Sequence, residues 1–588
     1  MAHIETYCYA ATMDIKASNP LRLNQHDVAR LPRRYLFLLL TLYIAAGLTW
    51  RDLWRQEAGS FGIMLTMAQG GVSDWIYPNV AGLYSTTFGP LPYWIGAVFI
   101  RLFSFIMSPF NSAQFAIACQ GALSAYLLWL GVYRLGKRDE LQPQRLAFGG
   151  EPSPTDYGRM LADSAVLLLV ATYGVAAHTH DTSEGATVLL VCMMWLCGAI
   201  SALERPAKGR WLWSLGFAGM GLTLPFTLFI FFIFTTLGVL FFTHWRENSL
   251  HVTPVVIAIG LLTPAIWFFN MAQNPEFFLN WRSNQHFTPL SADNVTFFGR
   301  NFFVFTWPIA PLGLWCIWRW RSRWSNPMMV LGVLLLLTPL GHLIISGQRF
   351  DASMLMFVPG FVLLAPFGLA TLNRGRANII DWFSLLTFST LLLLVWMFWI
   401  AAWTGFPTQL TRNIFKLAPN FQMEFKWWPF SIAVLVSLGW LLILNWRARF
   451  QPRALWKAVA LSSSGLVMIW VLLATLIMPW LNYTRSYSEA GKALTSNIPS
   501  EVSCVRAIDL PANIRGAMYY YANVPFVPER SEFAKVNCPY VLTQESTLKL
   551  NTPIKNTSSV QLHNQTWKVI WTGERVSERG NALILLRQ

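Results

Sequence analysis

Apolar runs of about twenty residues recur along this chain, and they decide its class of fold before any motif is read. A helix rises about 1.5 Å per residue, so such a run crosses the roughly 30 Å hydrocarbon core of a bilayer. Clear candidates lie at 35–51, 113–134, 160–178, 185–203, 252–270, 297–318, 327–346, 352–372, 380–402, 427–445 and 458–481. In lipid every backbone N–H and C=O must find a partner within the structure, so runs of this kind are read as α-helices. Of the 588 residues, 54% are hydrophobic and 12% charged, against about 25% charged in a soluble domain. The net charge of +16 does not call for a nucleic-acid partner. The Lys and Arg residues sit in short segments between apolar runs, where they orient the chain and meet anionic headgroups. Membrane lipids are therefore expected partners and nucleic acid is not.

Two regions need a decision. Leu91 to Met107 is long enough to span but carries Arg101 near its middle, a cost of about 2.5–3.5 kcal/mol at a helix centre. Trp211 to Trp245 is an apolar run of 35 residues, about 52 Å as one helix, and Pro225 divides it. Reading 91–107 as an interfacial helix and 211–245 as two short spans puts Arg134–Arg159, Arg205–Arg210, Arg319–Arg323, Arg374–Arg376 and Arg447–Lys457 on one side. That side is then the cytoplasm. The count becomes about 13 spans, with the N-terminus inside and the C-terminus outside. The expected organisation is a cytoplasmic tail at 1–33 without a signal-peptide pattern, a membrane domain at 34–483 with its first outer loop at 51–112, and a periplasmic α/β domain at 484–588. In the last segment, 488–497 and 514–521 read as helices, and 502–508, 540–543, 567–571 and 582–586 as strands.

The seven cysteines form no metal pattern. Cys119, Cys192, Cys197 and Cys316 fall in apolar runs and read as small packed hydrophobes. Cys504 and Cys538 both fall in the outer segment, where a disulfide between them is expected.

Three outer loops concentrate polar chemistry. The first holds Asp52, Glu57 and Asp74; the second, HTHDTSE at 178–184, holds His178, His180, Asp181 and Glu184; the third, 271–296, holds Glu276, Arg282 and His286. Carboxylates and cations facing one another at a membrane surface suit transfer from a lipid-phosphate sugar donor. Cations hold the departing phosphate and a carboxylate takes the proton of the acceptor hydroxyl. Glu57 and Asp181 are the expected catalytic pair, and Arg282 and Arg349 are cations for the phosphate. Glu57 on an amphipathic helix also reads as a water-facing residue, and Asp181 as a helix cap. No cofactor is certain, but His178, His180 and Asp181 with Glu57 are residue types that can ligate a divalent metal.

At the level of motifs, EAGSFGIMLTMAQGGVSDWIYPNVAGLYSTTFGPLPYW resembles the first periplasmic loop of bacterial aminoarabinose transferases and their protein O-mannosyltransferase-like relatives of family 39. SDWIYPNVAGL and GPLPYW carry most of the likeness, with further similarity in WFFNMAQNPEFFLNWRSNQHF and SGQRFDASMLMFVPGFVLLAP. It covers about residues 35–375. The resemblance implies a GT-C fold with about 13 transmembrane helices and juxtamembrane helices, and transfer of a sugar from a polyprenyl-phosphate donor at the periplasmic face of the bacterial inner membrane. The acceptor would be lipid A, another glycan or a protein. Mapped residue by residue, it adds Gln56, Tyr93 and Arg300 to Asp52, His180, Glu184, Arg282, His286 and Arg349 as candidate substrate-binding positions. The family's Asp-Glu pair reads Gln56-Glu57 here, and three of its cation positions read Gly59, Gly89 and Met220. Two further readings are a transporter of a lipid-linked glycan and a non-catalytic protein that binds one. A transporter would show internal repeats and a polar path through the bilayer; the sequence has no repeat and gathers its outer charges at one face.

Overall fold

The apolar runs fold as helices in a computed structural model of the chain. It describes residues 20–588 except 22, 24, 29–30, 49, 146–148, 247–248, 286–290, 347–353, 451–453, 500–501, 531–535, 549–558, 563–564 and 579–580. The first ten helices are α1 (Arg33–Ala45), α2 (Arg55–Gln69), α3 (Val72–Ile76), α4 (Leu91–Phe103), α5 (Pro109–Gly136), α6 (Pro154–Val170), α7 (Tyr173–His178), α8 (Gly185–Glu204), α9 (Pro206–Gly221) and α10 (Phe226–Phe241). Among the described residues seven helices are long and apolar enough to cross a membrane, the last of them Ala458–Arg485, which makes this a multi-pass membrane protein. An eighth crossing is added if a bent pair counts as one.

That pair departs from expectation. The run 297–318, read as one span, folds as Ala292–Phe305 and Ile309–Arg319, bent by 93°. Pro308 sits at the bend; it has no N–H to continue the helical ladder. By length and apolarity alone the described residues give seven or eight crossings, and further apolar runs form shorter helices. The 211–245 run is indeed two helices, α9 and α10, parted at Leu222–Pro225. Helix α4 has 13 residues, about 20 Å, too short to cross unaided. Its Arg101 donates to the carbonyls of Ala68 (2.9 Å), Met67 (3.2 Å) and Gly70 (2.9 Å) at the end of α2, a cation at a helix C-terminus. Asp163, inside α6, accepts from Trp129 Nε1 on α5 at 2.8 Å.

The last span is not uniform. Residues Ala454–Leu472 are α-helical, Leu473–Ile477 widen into a π-turn, and Met478–Arg485 resume the α-helix. Pro479 explains the widening: its ring would crowd the carbonyl four residues earlier in a regular helix.

The C-terminal segment is a small α/β domain. Its strands are β1 (Val505–Ala507), β2 (Tyr540–Gln544), β3 (Ser559–Leu562), β4 (Gln565–Gly573) and β5 (Leu583–Arg587), ordered β1-β2-β5-β4-β3. β1 and β2 are parallel and the other pairs antiparallel. β3 escapes a reading from sequence, because it has only four residues, two polar and two apolar, too few for the alternation to stand out. Cys504 and Cys538 are joined as a disulfide, with 5.5 Å between Cα atoms, beside β1 and β2. The domain shares one apolar core with the 51–112 segment: Phe61, Met64 and Tyr93 pack with Ile514, Met518 and Leu542. Helix Ala512–Tyr521 crosses α2 at Gly516, where a Cβ would come within 2.1 Å of the Ala58 carbonyl. Only glycine permits so close an approach. Buried Arg515 pairs with Glu529 and donates to Ala81 O (2.7 Å) and Val527 O (2.9 Å), which ties loop and domain together.

Candidate functional site

The site begins where the chain leaves α1. Arg51 is 6% exposed and Glu57 not at all. Arg51 Nη1 and Nη2 donate to Glu57 Oε1 and Oε2 at 2.5 and 2.9 Å, a bidentate pair. Glu57 also accepts from the backbone N of Trp54 (3.2 Å), which caps the start of α2, and from Thr182 N (2.7 Å) and Oγ1 (3.1 Å). Arg51 Nη2 reaches the His180 carbonyl at 3.0 Å. The second loop is thus fastened to the start of α2 by one carboxylate with five donors.

Asp181, one residue before Thr182, faces the other way. It lines a cavity of about 800 Å³. Its polar lining is Gln56, His178, Asp181, Ser183, Glu184 and Arg485. The apolar lining comes mainly from the last span: Leu466, Ile469, Trp470, Leu473, Met478 and Leu481. Ser183 Oγ donates to Asp181 Oδ1 at 2.5 Å. Burial, then the Glu57 charge, push the Asp181 carboxyl up to about 7, against the opposing pull of Ser183 and Arg51. Glu184 Oε1 accepts from Ser60 Oγ and Tyr93 Oη, both at 2.7 Å, so Tyr93 holds a wall residue without lining the cavity.

The expected residues therefore divide. Gln56, Asp181 and Glu184 come together at one cavity. Glu57 is not among its lining residues; successive helical positions lie about 100° apart, and packing of Ala58, Phe61 and Met64 turns Glu57 inward and Gln56 outward. Asp52 points away, accepting from Ser488 Oγ of the C-terminal domain at 3.3 Å. His180 has both ring nitrogens against backbone carbonyls, Ala176 O at 3.0 Å and Tyr43 O at 2.9 Å. Burial holds its pKa down to about 4, so one nitrogen carries the proton at neutral pH. With His180 and Glu57 so occupied, the four-residue metal set is not assembled, and the described residues hold no group of three His, Cys, Asp or Glu suited to a metal. Arg282 and Arg300 are exposed on other helices and do not line the cavity. His286 and Arg349 lie outside the described residues. Gly89 has no room for a longer side chain: its N donates to Thr223 O at 3.1 Å, and a Cβ would meet Leu222 O at 2.2 Å. Met220 is fully buried.

Sequence reasoning missed Arg51 as the partner of Glu57, and Arg485. The available signal for Arg485 was a cation at the end of the final apolar run, which reads equally well as a headgroup contact.

This fold is that of known GT-C structures. The crystal structure of ArnT from Cupriavidus metallidurans bound to undecaprenyl phosphate matches with a TM-score of 0.62 at 15% identity, over 94% of this chain and 97% of that one. The apo state of ArnT from the same organism matches with a TM-score of 0.63 at 14% identity, over 94% and 96%. No protein-family model matches the chain, and no curated protein matches it in sequence.

Proposed function

We propose that this chain is a glycosyltransferase of the bacterial inner membrane that moves a sugar, a hexose or pentose, from a polyprenyl-phosphate donor to an envelope lipid, glycan or protein on the periplasmic face. The observation that carries this is a cavity lined both by polar side chains, Asp181 among them, and by apolar side chains of the last span. It suits a substrate with a polar head and a hydrocarbon tail. The neighbouring fold was crystallised with undecaprenyl phosphate, and the Cys504–Cys538 disulfide favours an oxidising compartment for the C-terminal domain.

In this reading Asp181 is the general base. It takes the proton of the acceptor hydroxyl as that oxygen bonds to the sugar's anomeric carbon. The bond from that carbon to the phosphate oxygen breaks, and the lipid phosphate leaves with the electron pair, needing no proton. A carboxylate with a raised pKa is a stronger base than an ordinary one, yet is substantially ionised near neutral pH. Glu57 is a positioning residue: through Thr182 it fixes the backbone that aims Asp181. Gln56 and Glu184 offer hydrogen bonds to sugar hydroxyls.

The test is mass spectrometry of envelope glycolipids, glycans and glycoproteins from cells with the wild-type gene, without it, and with Asp181→Asn. A glycan-bearing product lost in both altered strains is expected. A product that persists with Asp181→Asn would overturn the assignment of the base; identical profiles in all three strains would favour a non-catalytic or transport role.

A further inference from the structure

One arginine, Arg485, is among the residues that line the cavity, and its surroundings leave it available. Arg485 ends the last span and is exposed. No described carboxylate lies within ion-pair distance of its guanidinium. It stacks over the Trp54 ring at 5.1 Å, while Arg51 covers the same ring at 4.8 Å. Trp54 Nε1 is fixed by Asn482 Oδ1 at 3.0 Å. The two arginines on this ring thus have different fates: Arg51 is buried against Glu57, and Arg485 opens to the cavity.

The helix end that presents Arg485 is held by the C-terminal domain. Thr484 O accepts from Ser577 Oγ at 2.6 Å and from Arg575 Nη1 at 3.3 Å. Arg575 is anchored by Glu578 at 3.3 Å, and Glu578 also pairs with Arg55 and accepts from Tyr487 Oη. The carbonyl end of a helix carries partial negative charge that repels anions. Here that end is covered by donors from the domain, and the Arg485 side chain is left to face an incoming anion. Leu473, Met478 and Leu481 line the same cavity along the same span.

We infer that Arg485 binds the phosphate of a long-chain lipid phosphate whose hydrocarbon tail lies against the last span between Leu466 and Leu481. This deepens the proposed function and rests on it. A guanidinium suits a phosphate because its donors are planar and paired, and stacking on Trp54 pre-orients it.

The test uses the full-length protein purified in detergent, with affinities measured by microscale thermophoresis for farnesyl phosphate, farnesol and inorganic phosphate. Farnesyl phosphate should bind wild type, and Arg485→Gln should weaken it by about tenfold or more, the effect of losing a charged hydrogen bond. Arg485→Lys should lose less, and farnesol should bind all three proteins alike, which also certifies their fold. Inorganic phosphate should bind far more weakly than farnesyl phosphate; equal binding would refute the lipid assignment. If Arg485→Gln binds farnesyl phosphate as wild type does, the phosphate site is elsewhere while the glycosyltransferase reading stands. If wild type binds no farnesyl phosphate, both fall.

Discussion

Replacing Glu57 with glutamine separates a structural carboxylate from a catalytic one. The substitution keeps the side chain's shape and turns one oxygen into a donor. Whichever way the amide is turned, its NH₂ meets donors: Arg51 Nη1 and Trp54 N on one side, or Arg51 Nη2, Thr182 N and Thr182 Oγ1 on the other. Among these only the Thr182 hydroxyl can turn to accept. The site is fully buried, so water cannot step in. Removing one partner of a buried ion pair costs about 3–5 kcal/mol, of which an unsatisfied buried donor alone accounts for about 1–3 kcal/mol. We expect Glu57→Gln to lower the apparent melting temperature of the detergent-solubilised protein, followed by fluorescence-detected size-exclusion after heating. Adding Arg51→Gln should recover part of the loss, since the double variant no longer buries an unpaired guanidinium. Should Glu57→Gln melt with wild type while turnover alone is abolished, the ion pair is not what holds the loop, and Glu57 acts in the chemistry after all.

Asp181→Asn should behave in the opposite way. The folded state holds the Asp181 proton up to about 7, the unfolded chain only to about 3.9, so in that window folding takes up a proton and wild-type stability falls as pH rises. The Asn variant should therefore melt above wild type at pH 8, with the gap closing towards pH 4; in a transfer assay the wild-type rate should climb through neutral pH, with Glu57, Arg51 and Glu184 setting where. Gly516→Val should overpack the crossing with α2 and destabilise it by about 1–3 kcal/mol or more, read as faster proteolytic release of the C-terminal domain; unchanged proteolysis would disprove the close crossing. Cys504→Ser should destabilise that domain by about 2–4 kcal/mol through loss of a crosslink spanning 34 residues, measured as a lower urea midpoint of proteolytic susceptibility. A midpoint equal to that of wild type would show the crosslink is dispensable.

The sequence alone determined that this chain lives in a membrane, since runs of apolar residues that long have no other stable solvent. It also located the C-terminal α/β domain, through short apolar runs such as 582–586, and picked out 178–184 as a polar cluster pressed between two apolar runs. Local pattern suffices for such features because hydrophobicity acts residue by residue. The run 297–318 reads as one span from its sequence, and the 93° bend at Pro308 depends on what each half packs against. Tertiary structure decided which carboxylate does what. Gln56 and Glu57 are neighbours in sequence, and only the packing of Ala58, Phe61 and Met64 sets the helix phase that turns one to the cavity and the other to Arg51. The same holds for Arg485. It meets Trp54 only after the intervening chain has folded, and it lines the same cavity as Asp181 while the C-terminal domain bonds to the carbonyl of the preceding residue.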